Sequence, residues 1–186
     1  MVTLTWNANN ALAGCSKLDG PGLTALGREF VRRAQRLGIL VDVSHISEKA
    51  FWDIMDIAEK PVVASHSNSF TLCHHNRNLT DAQFKALCET GGFAGINLFG
   101  YFLSEDGKAD LDTVRCHMDH FLQLGGAGHI ALGGDLDGCD LLPTGFRSVA
   151  NYNDLSSHLE ASGFSPETIQ DIFSNTLKRV VTSCAM

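Results

Sequence analysis

No apolar run in this 186-residue chain approaches the ~20 residues a helix needs to cross a bilayer. The opening stretch, MVTLTWNANN, has neither the charged start nor the long apolar segment of an export signal. The six cysteines, Cys15, Cys73, Cys88, Cys116, Cys139 and Cys184, include no CxxC and no zinc-ribbon spacing, so a thiolate metal knuckle is excluded. Without an export signal, reduced thiols and a cytoplasmic location are the expectation. Most of the cysteines read as small buried hydrophobes. No run of Lys or Arg occurs and the net charge is −7, which argues against a nucleic-acid surface. No Pro/Gly/Ser-rich linker or low-complexity tract divides the chain, so residues 1–186 read as a single domain. What remains is 44% hydrophobic and 19% charged, the balance of a globular protein.

The informative stretch runs from Ile39 to Ser69 and states one phrase twice. An apolar run, ILVDVS, ends on His45. A helix-like segment, SEKAFWDIMDIAE, is stopped by Pro61, and a second run, VVAS, ends on His66. Short β-branched runs of this kind read as buried parallel strands joined by a crossover helix. In a parallel βαβ unit both strand C-termini open on the same edge of the sheet, where α/β sheets and barrels place their chemistry. Two imidazoles are therefore expected on one rim, as metal ligands or titrating groups.

The same rhythm covers the rest of the chain. Val2–Trp6 reads as a strand. Thr24 is an expected N-cap for a helix ending near Gly38, and Ser47 for the next one. Thr80 and Gln83 have capping-box spacing ahead of a helix that ends at Gly91 and Gly92. Phe93–Phe99 reads as a strand, GYFLSEDGKAD as a loop, and Leu111–Leu124 as a helix. HIALGG then reads as a strand finishing on Asp135. Two helices follow, roughly 149–162 and 166–181, with Pro166 at the first position behind Ser165. Five strands alternating with helices mean an α/β fold with a parallel sheet and right-handed crossovers.

Strand ends thus supply Trp6, His45, His66, Asn97 and Asp135. Two His and one Asp are a partial site for Zn²⁺ or a similar ion. An Asp beside an activated water can also take its proton, although Asp-Leu-Asp-Gly equally suits a tight turn. Arg77, in the HHNRN stretch, belongs either to a solvated loop or to a bidentate clamp on a substrate carboxylate. His117 and His120 lie one turn apart on a helix outside the sheet and read as packing residues. His129, at the opposite rim, and His158, on a late helix, also read as structural. Cys73 and Cys139 fall in loops near the active rim.

The segments LTW-N, GLTALGREFVRRAQRLGILVDVSHIS, PVVASHSN, C-HHNRNLTDAQFKAL, GGFAGINLF and ALGGDLDG together resemble the membrane (renal-type) dipeptidase family, over nearly the whole chain. The resemblance implies a (β/α)₈ barrel with two zinc ions that hydrolyses dipeptides. It implies that His45 and His66 hold the second zinc, that Arg77 binds the substrate carboxylate, and that Asp135 shuttles a proton. Asn97, at its strand end, is assigned to substrate binding.

The departures set further expectations. The family's His-x-Asp pair and bridging Glu have no counterpart near the start of this chain, and Trp6 stands where some members carry a histidine. FRSVANY departs from the family's more acidic segment. The chain therefore reads as a partial (β/α)₈ barrel, about strands 4–8, with at most one weak zinc site and little activity alone. Exposed strand edges and an exposed apolar interior would favour self-association. A non-catalytic fragment that needs an N-terminal partner or an oligomer is the alternative. An amidohydrolase on cyclic amides ranks lower, because no Lys occupies a strand end.

Overall fold

The apolar runs become the strands of one parallel sheet in the computed structural model of the chain, which describes residues 1–185. β1 (Val2–Thr3), β2 (Val41–Asp42), β3 (Val62–Ala64), β4 (Phe93–Asn97) and β5 (Ile130–Gly134) pair in chain order. Every neighbouring pair is parallel, with Val41 opposite both Val2 and Val62, and Ala94 opposite Ile130. Between the strands run α1 (Ala25–Arg36), α2 (Glu48–Met55), α3 (Asp81–Glu89), the short α4 (Gly100–Leu103) and α5 (Leu111–Gln123). After β5 come α6 (Tyr152–Ala161), α7 (Pro166–Gln170) and α8 (Thr176–Ala185). This is the α/β alternation expected of consecutive units in a (β/α)₈ wall. Among the described residues no helix is long and apolar enough to cross a membrane.

Local chemistry sets the helix starts. Thr24, Ser47 and Ser165 each accept a hydrogen bond from the backbone N–H three residues on, and Thr80 with Gln83 forms a reciprocal capping box. Each such cap contributes about 1 kcal/mol by satisfying donors that the helix itself cannot.

Three expectations change. The strands are shorter than the apolar runs, because β1 stops at Thr3 and β2 at Asp42. Just past β2 and β3 the backbone N–H groups of Ser44 and Ser65 turn to the Asp42 carboxylate (3.0 and 2.8 Å), so the regular ladder gives way to side-chain bonds. The loop after β4 contains α4, and the helix expected at 166–181 is interrupted by a π-helical turn at Asp171–Asn175.

The third change concerns the inner face. Side chains alternate across a strand. One face carries Val41, Val43, Val62, Ala64, Ala94, Ile96 and Ile130 into a core shared with Ala50, Phe51, Phe84, Met118 and Phe121. The other face carries Leu40, Val63, Phe93 and Ala131. These are not exposed: Val180 and Cys184 of α8 pack on them as a second, smaller cluster. Arg179 fastens that helix by donating to the carbonyls of Gly91 (3.1 Å) and Gly128 (2.6 Å), beyond the helices that precede β4 and β5. The expected exposed interior is therefore covered at its lower end by the chain's own last helix. Toward the strand C-termini the same face turns polar, with Asp42, Ser65 and Asn97.

Candidate functional site

Parallel strands bring their C-terminal residues to one rim, and a cavity of about 880 Å³ opens there. Its wall includes His45, His66, Arg77 and Asp135 together with Trp6, Phe99, Phe102 and Cys139. Four of the sequence-predicted residues thus share one cavity. Asn97 does not line it. It is fully buried beneath and donates through Nδ2 to Asp135 Oδ2 at 3.2 Å, while its own Oδ1 accepts from the Phe99 N–H. Its contact is with Asp135, which it orients. Trp6 is 73% exposed on the approach to the cavity.

His45 and His66 face each other. Their Nε2 atoms are 2.9 Å apart, with ring centroids separated by 5.0 Å. Burial lowers the pKa of both; the nearby Arg77 cation adds to this, and His45 is brought down to about 3. At neutral pH both rings are uncharged, the state in which imidazole offers a lone pair to a metal. Two nitrogens this close can share one ion at the usual Zn–N distance of about 2.0–2.1 Å with an N–Zn–N angle of roughly 90°. The donor set therefore fits a divalent cation. Among the described residues, however, no group of three or more His, Cys, Asp or Glu side chains is arranged to hold one.

Backbone geometry sharpens the site. His45 (φ 69°) and Asp135 (φ 60°) both adopt the left-handed conformation. For non-glycine residues this costs on the order of 1–2 kcal/mol and persists only where the surroundings fix it. At His45 the fixing is visible, because its carbonyl accepts from the Ser16 N–H (2.8 Å) and the Thr5 hydroxyl (3.1 Å).

Arg77 does not lie in a solvated loop. It is only 7% exposed, its guanidinium sits 5.3 Å from the centre of the Phe102 ring, and its Nε has no partner among the described residues. Burial lowers its pKa to about 10, which still leaves it cationic at neutral pH. Asn78 holds the loop shape by donating to the carbonyls of Cys73 (2.9 Å) and Phe102 (2.8 Å). Cys139 lines the cavity, but burial and then the Asp135 charge push its thiol up to about 12, so it stays protonated and a poor nucleophile. Cys73 is buried with its thiol on the Tyr101 carbonyl.

His117, His120 and His129 make hydrogen bonds within the fold, whereas His75 lines the cavity with its ring against Phe102. His117 accepts the Ser69 N–H at Nδ1 (3.1 Å) and donates from Nε2 to the Leu103 carbonyl (2.9 Å). His120 pairs with Asp81 (2.8 Å), and His129 contacts the Gly92 carbonyl (2.7 Å).

Two residues of the site escape the motif reading. Asp42 is fully buried, and its carboxylate accepts from the Thr3 and Ser65 hydroxyls (both 2.6 Å) as well as from the two backbone donors named above. Ser65 then touches His66 Nδ1 at 2.7 Å. The available signal was a carboxylate in the middle of a β-branched strand, where an ionised group is almost never buried without partners.

A family model described as membrane dipeptidase (peptidase family M19) matches residues 1–185 of this chain. The chain belongs to that family. It is 43% identical over 149 residues to an uncharacterised protein from the pqqA 5′ region of Klebsiella pneumoniae, covering 78% of this chain and 55% of that protein. It is 33% identical over 187 aligned residues to an uncharacterised dipeptidase of Schizosaccharomyces pombe, covering 96% of this chain and 45% of that one. Among solved structures, a metallopeptidase from Rhodobacter sphaeroides, liganded with a phosphinate mimic of the dipeptide L-Ala-D-Ala, superposes with a TM-score of 0.91 at 29% identity. That match covers 98% of this chain and 55% of the other. The chain spans about half the length of the curated relatives it matches.

Proposed function

We propose that this chain supplies the dipeptide-binding and proton-handling side of a zinc-dependent dipeptidase site. The observation that carries the reading is the 2.9 Å approach of the His45 and His66 Nε2 atoms in a cavity that also holds Arg77 and Asp135. Zinc, when bound by the two imidazoles, supplies Lewis acidity toward a carbonyl and makes water a stronger acid.

The chain's own residues do the rest. Arg77 presents a buried cationic fork to the C-terminal carboxylate of a dipeptide, and its contact with Phe102 keeps the plane fixed. That contact positions the scissile carbonyl over the rim. Asp135, held by Asn97, accepts a proton from the attacking water as the new C–O bond forms. It returns that proton to the nitrogen as the C–N bond breaks, so the amine leaves neutral and the carboxylate is regenerated.

The absence of a third ligating side chain among the described residues supports a site completed from another segment or chain. The test is hydrolysis of L-Ala-D-Ala with added zinc, by the 186-residue chain alone and by the chain mixed with a companion carrying a His-x-Asp pair and a bridging Glu. Hydrolysis that requires the companion and is lost in His45→Ala supports both statements. Hydrolysis by the chain alone supports the activity and overturns the incomplete site. Folded, zinc-loaded protein inactive in both arrangements overturns the dipeptidase reading.

A further inference from the structure

The proton positions around His66 follow from the chemistry of its neighbours. Asp42 accepts from the Ser44 and Ser65 N–H groups through Oδ1, and from the Thr3 and Ser65 hydroxyls through Oδ2. Four donors on two oxygens fill an ionised carboxylate, which has no proton to give. The 2.6 Å contact between Ser65 Oγ and Asp42 Oδ2 therefore uses the serine's single hydroxyl proton. Ser65 Oγ is left as an acceptor, and the 2.7 Å contact with His66 Nδ1 must take its proton from the imidazole. The weaker 3.3 Å approach to Ser44 Oγ leaves this unchanged, because the short charge-assisted bond to Asp42 keeps the Ser65 proton, and Ser44, which accepts the His66 backbone N–H, has its own hydroxyl proton to give to Ser65 Oγ.

We propose that Asp42 and Ser65 are positioning residues that hold His66 in the Nδ1–H tautomer and so aim a bare Nε2 lone pair at a divalent cation on the rim. The relay is a carboxylate–hydroxyl–imidazole chain rather than a direct carboxylate–histidine pair. It gives the site an asymmetry. His45 Nδ1 is buried with no partner among the described residues, so nothing comparable fixes its tautomer. In the metal-free protein the His45 Nε2–H donates to the His66 lone pair across 2.9 Å, and His45 must exchange its proton to the other nitrogen before it can ligate. His66 is preset and His45 is adaptable.

The inference rests on the zinc reading only for its purpose, and its principal test needs no metal. Nitrogen-15 NMR of histidine-labelled, metal-free chain near neutral pH reads the tautomer of each ring directly. The expected result is Nδ1–H at His66 in the wild type and a shift toward Nε2–H in Ser65→Ala. Asp42→Asn is the more direct variant but removes a fully buried carboxylate, so Ser65→Ala, which leaves Asp42 three of its partners, carries the test. Zinc affinity by chelator competition is expected to fall about 10–100-fold in Ser65→Ala, as for loss of an orienting partner generally. Nε2–H at His66 in the wild type, or an unchanged tautomer in folded Ser65→Ala, overturns the proposal. A confirmed tautomer in a protein that hydrolyses no dipeptide would leave the relay standing while the dipeptidase reading falls.

Discussion

Replacing His45 by glycine should leave the chain more stable than replacing it by alanine. Both substitutions delete the imidazole, its contact with His66 and its desolvation, so their difference isolates the backbone. At φ 69° an L-residue costs roughly 1–2 kcal/mol relative to its preferred regions. Glycine escapes that cost but loses about 0.5–1 kcal/mol through its greater freedom when unfolded. The balance favours His45→Gly over His45→Ala by about 0.5–1 kcal/mol. The backbone cannot relax away from the strain, because the His45 carbonyl is held by Ser16 and Thr5. With a urea m-value of about 2 kcal/mol/M the midpoints should differ by roughly 0.3–0.5 M at equal slope, read by circular dichroism. Arg32, exposed inside α1, is the control: there glycine should be less stable than alanine by about 1 kcal/mol. Equal midpoints at position 45, or alanine ahead, would refute the claim that strain is stored at this strand end.

Acid should weaken the fold through His117. Burial lowers its folded-state pKa to about 4, below the ordinary value of 6.5, so its contribution is fully present above pH 6.5 and lost as pH falls toward 4. By linkage the loss reaches about 2–3 kcal/mol near pH 4.5, and His117→Gln should show a flatter urea-midpoint profile over that interval. Val180→Ala should cost roughly 2 kcal/mol by opening a void between α8 and Val63, Phe93 and Ala131, with increased binding of a hydrophobic dye. An unchanged melting temperature would show that α8 does not cover the inner face in solution. Arg77→Lys should weaken binding of a phosphinate dipeptide mimic to the completed, zinc-loaded site by at least about tenfold, since a point charge cannot replace the planar fork. Equal affinity would remove Arg77 from carboxylate recognition.

The relation between the 43–66 segment and the sheet explains what can be read without coordinates. Strand ends are legible because β-branched runs, crossover helices and caps are local properties, and parallel pairing then forces their C-termini to one rim. His45, His66 and Asp135 were placed that way. Asp42 and Ser65 were not, because their importance lies in contacts between residues 23 positions apart that no spacing rule encodes. Asn97 was legible as a strand end, but its place under Asp135 depends on how β4 and β5 sit side by side. The covering of the inner face by α8 likewise joins Arg179 to Gly91 and Gly128, far apart in sequence.

The sequence by itself determined the alternation of strand and helix, the shared rim and the residue types on it, since these follow from periodicity and from the chirality of L-residues. Only the tertiary structure decided which nitrogen of each imidazole faces the cavity, which side chains are buried donors, and what closes the lower end of the sheet. Those properties depend on distances between groups remote in the chain, and a hydrogen bond or a desolvated charge exists only at a definite distance.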